Sequence, residues 1–307
     1  MNSAPIPAGV DPATGVASKD VVINQATGLW ARVFLPPPGS GHHAAPAGGS
    51  KLPVVVYYHG GAFVLGSAAA PTTHGYLNCL VAAANVVAVA VEYRLAPEHP
   101  LPAAFDDSWE GLKWVVASHA IATATGDAGC ETWLVNHGDF ARVFLAGSSA
   151  GGTIAHAMAV RAGGPGVGIS IRGVLVMHPF FSGVADIGKE TTKGKAWTDA
   201  FWRFRHPAAP LGLDDPLANP FSEAAGGSAA RVAGERVLVC VAEKDTLRDR
   251  GVWYYENLKA SGYGGEVELF ESMGEGHVFH CINPRSEKAI KMQERVVRVL
   301  RPRLDTP

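Results

Sequence analysis

No strong charge of either sign runs through this sequence. Its 26 Lys and Arg stand against 28 Asp and Glu, a formal net charge of -2 over 307 residues. The basic residues are scattered, so no continuous positive field is available to hold a nucleic-acid backbone. Long apolar runs are missing too, which excludes a membrane-spanning helix. Cysteine is scarce: the four residues at 79, 130, 240 and 281 form neither a CxxC pair nor zinc-finger spacing. Cys79 and Cys240 fall inside apolar segments and read as buried thiols, as expected in a reducing compartment. The opening MNSAPIPAGVDPATG lacks the basic start and apolar run of a secretory signal. The expected location is the cytoplasm, with the nucleus as a second compartment. Nothing in the sequence specifies an oligomeric state.

What is present is a repeated alternation of short apolar strands and helical segments. LPVVVYYHGG, NVVAVAVEYR, RVFLAGS, IRGVLVMHPF, RVLVCVAE and EVELFE read as strands buried in a sheet, preceded by two strands in VVINQATGLWARVFLP. Residues 72–84 read as a helix. So does LPAAFDDSWEGLKWVVASHA, where Phe105, Trp109, Leu112 and Val116 recur at spacings of three and four. SEKAIKMQERVVRVL closes the chain as a helix with Ala289, Met292, Val296 and Val297 on one side. The pattern predicts one α/β domain over residues 1–307, with a mostly parallel central sheet flanked by helices. Residues 186–218, aromatic and Pro-rich, interrupt the rhythm and read as a small lid or cap, against the plainer reading of a surface helix and loop. The stretch 36–50 is an exposed loop by composition. Its His42 and His43 are too few to fix a metal ion, and no metal or organic cofactor is expected.

Chemistry concentrates where strands end. Gly147-Ser148-Ser149-Ala150-Gly151 fits G-x-S-x-G between a strand and an apolar helix, a sharp turn that would thrust the Ser149 hydroxyl beyond the sheet. The helix start behind it favours negative charge. His59-Gly60-Gly61-Ala62-Phe63 follows another strand. Its glycines allow backbone N–H groups to approach a developing oxyanion, with Gly60, Gly61 and Ala150 as donors. A turn that simply needs positive φ would explain one glycine but not its place before a serine elbow. His59 reads as pinning the loop. Serine needs a base, and the base an orienting carboxylate. Asp245 and His277 each lie just past the carboxyl end of a strand, in the order Ser, Asp, His. Glu243, Asp249 and His280 compete for the two roles from less favourable positions.

Phe63, Val64, Phe180, Phe181, Trp197, Phe201, Trp202, Leu247, Val278 and Phe279 lie near these loops or in the 186–218 segment. They are candidates for an apolar substrate pocket, with core packing as the alternative for each. Arg203, Arg205 and His206 either meet a substrate carboxylate or sit in solvent on the outside of the lid.

HGGAF, VEYRLAPEHPLPAAFDD, GSSAGG, DPLANPF, EKDTLRDRG and GHVFH, read in that order, resemble the plant carboxylesterases of the hormone-sensitive-lipase-like α/β-hydrolases. The likeness runs from about residue 20 to the last helix. It implies an α/β-hydrolase fold, Ser149, Asp245 and His277 as a catalytic triad, and Gly60, Gly61 and Ala150 as the oxyanion hole. The implied substrate is a small hydrophobic ester, and the N-terminal segment (residues 1–20) is implied to fold over the pocket. Relatives of this kind also include strigolactone-cleaving esterases, dehydratases of specialised metabolism, and a gibberellin receptor that has lost the histidine which is present here as His277. Three positions depart from the pattern: Ala62 replaces a third glycine, Ser148 an acidic residue, and Thr153 an Asn.

Overall fold

A computed structural model describes residues 4–38, 51–125 and 131–301. His42, His43 and Cys130 lie outside the described residues. Eight strands form one sheet: β1 (Ala17–Asn24), β2 (Leu29–Leu35), β3 (Leu52–Tyr58), β4 (Val87–Glu92), β5 (Gly138–Ser148), β6 (Gly173–Met177), β7 (Arg236–Ala242) and β8 (Glu266–Ser272). Their spatial order is β1-β2-β4-β3-β5-β6-β7-β8. The β1–β2 and β2–β4 pairs are antiparallel and all later pairs are parallel. Among the described residues, eight helices join them: α1 (Pro71–Ala84), α2 (Ala103–Thr125), α3 (Thr132–His137), α4 (Ala150–Ala162), α5 (Thr192–Arg205), α6 (Arg248–Ala260), α7 (Phe279–Ile282) and α8 (Glu287–Leu300).

The period of two in the strands sorts the core into two layers. Val54, Val56 and Tyr58 of β3 join Val87, Val89 and Val91 of β4 beneath α2, α4 and α6. Val55 and Tyr57 join Ala88 and Ala90 on the opposite face, beneath α1 and α8. Because both faces are covered, the central strands carry no polar alternation. The last strand, β8, is half-buried and alternates differently. Glu268 pairs with Arg295 of α8, and Glu271 with Arg248 of α6. Two residues three apart on this edge strand thus offer one charge to each helical layer, which also blunts the free edge.

Two features aim the loops. The AFDD start of α2 holds the chain leaving β4, because buried Asp107 accepts from Arg94 Nε at 2.8 Å, from Nη2 at 2.8 Å and from its backbone N–H at 2.9 Å. Such a doubly bonded Arg–carboxylate pair fixes geometry as well as adding stability. Helix α4 is buried nearly all round, and its small residues Ala150, Gly151, Gly152 and Ala155 let it lie close on the sheet. The short helices α3 and α7 and the 3-10 turns between 212 and 231 had no sequence expectation. They are too short to display a period.

Candidate active site

Ser149 occupies the first flanking position of α4, with φ 57° and ψ −121°. That backbone region is sparsely populated and costs about 1–3 kcal/mol for a residue with a Cβ. The turn is forced by close approach on both sides. A Cβ on Gly147 would stand 2.0 Å from the Gly151 carbonyl oxygen, and one on Gly151 would stand 1.9 Å from the Tyr58 carbonyl oxygen. Serine at this position usually caps its helix with its own hydroxyl. Here the side chain makes no cap, and its Oγ lies 2.9 Å from His277 Nε2.

His277 Nδ1 stands 2.7 Å from Asp245 Oδ2. The carboxylate therefore fixes the ring proton on Nδ1 and leaves Nε2 as the acceptor facing Ser149. Asp245 is itself buried. Burial works to raise its pKa, but hydrogen bonds from His178, His277 and the Leu247 N–H outweigh that and hold the carboxyl well below the usual carboxylate range. His178 is a partner the sequence reading missed. Its Nδ1 is 3.2 Å from the same Oδ2, and its side chain is wholly buried. The signal was available: His178 directly follows β6, at the same strand-end level that singled out Asp245 and His277. His178, Asp245 and His277 place donor atoms within 4.8 Å of one another, close enough for an ion. The hydrogen bonds described account for that closeness, and His277 presents its remaining nitrogen to Ser149.

The glycine loop meets the same point. Gly60 packs so close that a Cβ there would lie 2.9 Å from the Ser148 carbonyl oxygen and 3.2 Å from Ser149 Cβ. Gly61 takes φ 121°, and Ala62 and Phe63 follow at 54° and 63°. Among the described residues, the N–H groups of Gly60, Gly61 and Ala62 donate to no other group. The Ala150 N–H is in the first turn of α4, where no intrahelical acceptor exists. His59 lies beneath the loop. Its Nδ1 is 2.7 Å from the Gly60 carbonyl oxygen, and its ring stacks on Tyr93 at 4.1 Å. Burial pushes it down to about 4, so the imidazole is neutral at pH 7.

Residues 55–281 match a family described as alpha/beta hydrolase fold. The chain belongs to the α/β-hydrolase family. The matched span runs from β3 through α7 and contains Ser149, Asp245 and His277. Over 299 residues, covering 96% of this α/β-hydrolase and 88% of the other protein, it is 43% identical to a 2-hydroxyisoflavanone dehydratase from Glycyrrhiza echinata. A probable carboxylesterase 2 from Arabidopsis thaliana is 41% identical over 291 residues, covering 93% of this chain and 85% of that protein. Among solved structures, a hyperthermophilic esterase from the archeon Pyrobaculum calidifontis superposes with a TM-score of 0.70 at 27% identity, covering 92% of this chain and 82% of that one. This α/β-hydrolase is thus an enzyme of the esterase and dehydratase type, related to plant carboxylesterases.

A cavity of about 470 Å3 opens over Ser149 and His277. Of the ten side chains expected to line an apolar pocket, only Val64, Phe201 and Val278 do so. The other seven lie elsewhere. Phe63 and Trp202 are fully buried and pack edge-on against each other, with Phe180 stacked on Trp202. Phe181 stacks on Tyr254 beneath α6. Phe279 is buried against His178. Leu247 is half-buried against the core. Trp197 is 67% exposed, out on the surface of α5. Nearness in sequence to a motif does not tell which way a ring turns. The cavity is completed instead by residues the sequence reading did not select, chiefly Leu65 and Ile282 at its apolar wall and Tyr57, Thr72, Thr73 and Cys281 as its polar ones.

The rivals for the catalytic roles are used otherwise. His280 is fully buried and bonds Ser148, with Nε2 2.9 Å from Ser148 Oγ, which also accepts from Tyr57 at 2.9 Å. Asp249 pairs with Arg248, and Glu243 accepts the Gly274 N–H. Arg203 is paired with Asp199 on the surface. Arg205 and His206 are buried, not solvated on the outside of α5 as one reading allowed. A larger cleft of about 720 Å3 lies on the far side of Asp245, lined by Lys189, Lys195, Lys244 and Arg248 among acidic partners. It reaches neither Ser149 nor the glycine loop.

Proposed function

We propose that this α/β-hydrolase is a serine carboxylesterase of the hormone-sensitive-lipase-like branch, acting on a small hydrophobic ester through an acyl-enzyme. The observation that carries this is the unbroken chain from Asp245 Oδ2 to His277 Nδ1 at 2.7 Å and from His277 Nε2 to Ser149 Oγ at 2.9 Å, on the floor of a largely apolar cavity. In this reading His277 takes the Ser149 proton as Oγ attacks the ester carbonyl. The N–H groups of Gly60, Gly61 and Ala150 receive the oxyanion, worth about 3 kcal/mol for each donor. Imidazolium, stabilised by Asp245, then protonates the leaving alcohol. Water repeats the cycle and releases the acid. These steps need no metal or organic cofactor.

The substrate class we propose is a plant hormone such as strigolactone or an ester of specialised metabolism. The 186–218 segment serves as its cover through Phe201 of α5. No described residue of the 1–20 segment lines the cavity, and residues 17–20 belong to β1. Its proposed place of action is the cytoplasm, with the nucleus as a second compartment. The 43% identity to a protein named as a dehydratase favours a second reading, in which the same His277 and glycine loop promote elimination of water.

Purified protein is assayed with short-chain 4-nitrophenyl esters beside Ser149→Ala. Steady turnover by the parent and background rates in the variant are expected. Equal rates in both would exclude Ser149 as nucleophile, and an inert parent would favour the dehydratase reading.

A further inference from the structure

Helix α5 ends in a cation that the reaction just described does not use. Arg205 is 0% exposed. Among the described residues no acidic side chain pairs with it, and burial pushes its guanidinium down to about 10. Four rings surround it: Phe201 at 4.4 Å, Phe180 at 4.7 Å, Trp202 at 5.3 Å and Phe63 at 5.7 Å from the guanidinium carbon. Nε donates to the Phe201 carbonyl at 3.0 Å, within the same helix. Nη1 donates across to the Ala62 carbonyl at 3.1 Å, and Nη2 is buried without a partner.

A buried charge with no counter-ion and an unmade hydrogen bond does not stabilise a fold; it is retained against a desolvation penalty. The rings recover part of that penalty. What Arg205 supplies is a fixed link from α5 to the glycine loop. Its contact is the one hydrogen bond described for the Ala62 carbonyl, whereas neighbouring Gly61 and Phe63 carbonyls are held by backbone N–H groups of Val64, Leu65 and Ala96. Ala62 is also where the loop is under strain, left-handed at φ 54° with a Cβ, and its own N–H is among those left free beside Ser149.

We propose that Arg205 is a positioning residue, clamping the Ala62 carbonyl so that the N–H groups of the glycine loop stay aimed at the oxyanion. The inference rests on the esterase reading above. It also makes α5 a coupling element: whatever shifts this helix over the cavity shifts the loop with it.

The variant Arg205→Met keeps the length and apolar packing of the stem inside the ring cage while removing the fork and its charge. With 4-nitrophenyl acetate, kcat is expected to fall roughly tenfold to a hundredfold, the scale of an ångström-level misplacement, with KM changed by less than about threefold. The Tm is expected to stay at the parent value or rise. Arg205→Lys, which keeps one donor within reach of Ala62, recovers part of kcat. A purely structural arginine would show the reverse: lower Tm, failure to fold, or kcat within twofold of the parent. Any of these overturns the proposal, as does a Lys variant no better than Met. Turnover by the parent with no loss in the Met variant sinks this inference alone. An inert parent takes both readings down together.

Discussion

Mild acid should destabilise this protein through two histidines that carry no catalytic step. His59 and His156 are completely enclosed, and burial pushes them from 6.5 down to about 4 and about 3. The sign follows from linkage: the unfolded chain takes up protons near pH 6.5 while the native rings stay neutral, so native stability drains away as pH falls from about 6.5 toward each folded value. At pH 5 each ring costs about 2 kcal/mol relative to pH 7.5, so together they remove about 4 kcal/mol, a large share of the 5–15 kcal/mol typical of a native domain. His74, His178, His206 and His280, all lowered by burial, act in the same direction. Glu92, raised by burial, opposes them in the lower part of the window. The assay is urea unfolding followed by tryptophan fluorescence at pH 7.5, 6 and 5, for the parent and for His156→Gln. The Tyr254 hydroxyl lies 2.8 Å from His156 Nδ1, so Gln retains a polar partner for it. The reasoning fails if unfolding free energy drops by less than about 1 kcal/mol by pH 5. It fails equally if the Gln variant keeps the full parental slope.

Two further substitutions read the site directly. Ala62→Gly relieves a Cβ at φ 54° and should raise stability by about 0.5–1 kcal/mol in the same urea assay, whereas a loss would mean that the loop is not strained there. His178→Phe removes one donor from buried Asp245 and should cost about 1.5–3 kcal/mol of stability at pH 7 together with a fall in kcat. Unchanged values of both would show that His178 merely fills space.

Much of the layout was legible because its signals are local. Val-rich strands buried on both faces, the Gly147–Gly151 turn and the strand-end positions of Asp245 and His277 each depend on a few adjacent residues. Side-chain direction does not. Phe63 and Val64 are neighbours, yet one packs under Trp202 while the other faces the cavity. That division is set by three consecutive positive φ values, at Gly61, Ala62 and Phe63. Arg205 was illegible as a partner of Ala62, since no motif or strand end marks it and its contact spans 143 residues of chain. His178 stood at a strand end like Asp245 and His277, but that position alone does not say which carboxylate it meets. The antiparallel β1–β2 hairpin was legible from the turn between its strands, but that β2 then pairs with β4 and not with β3 depends on contacts that no period encodes.

The arrangement of rings around Asp245 explains how one carboxylate can serve two histidines without confusion over which ring carries charge. Both reach the same Oδ2, but His178 is sealed off while His277 keeps 36% of its side chain open toward the cavity. Burial makes an imidazolium costly at His178, and at His280, whose ring lies 5.0 Å from it. In the proposed esterase reaction, a proton taken from Ser149 would therefore rest on His277, the ring that faces Ser149 and the cavity. Ser148 fits the same logic. An acidic residue at that buried site would hold a second negative charge beside His280 and compete with Asp245 for the proton. The neutral hydroxyl, bonded to Tyr57 and His280, leaves Asp245 as the carboxylate that orients the charge.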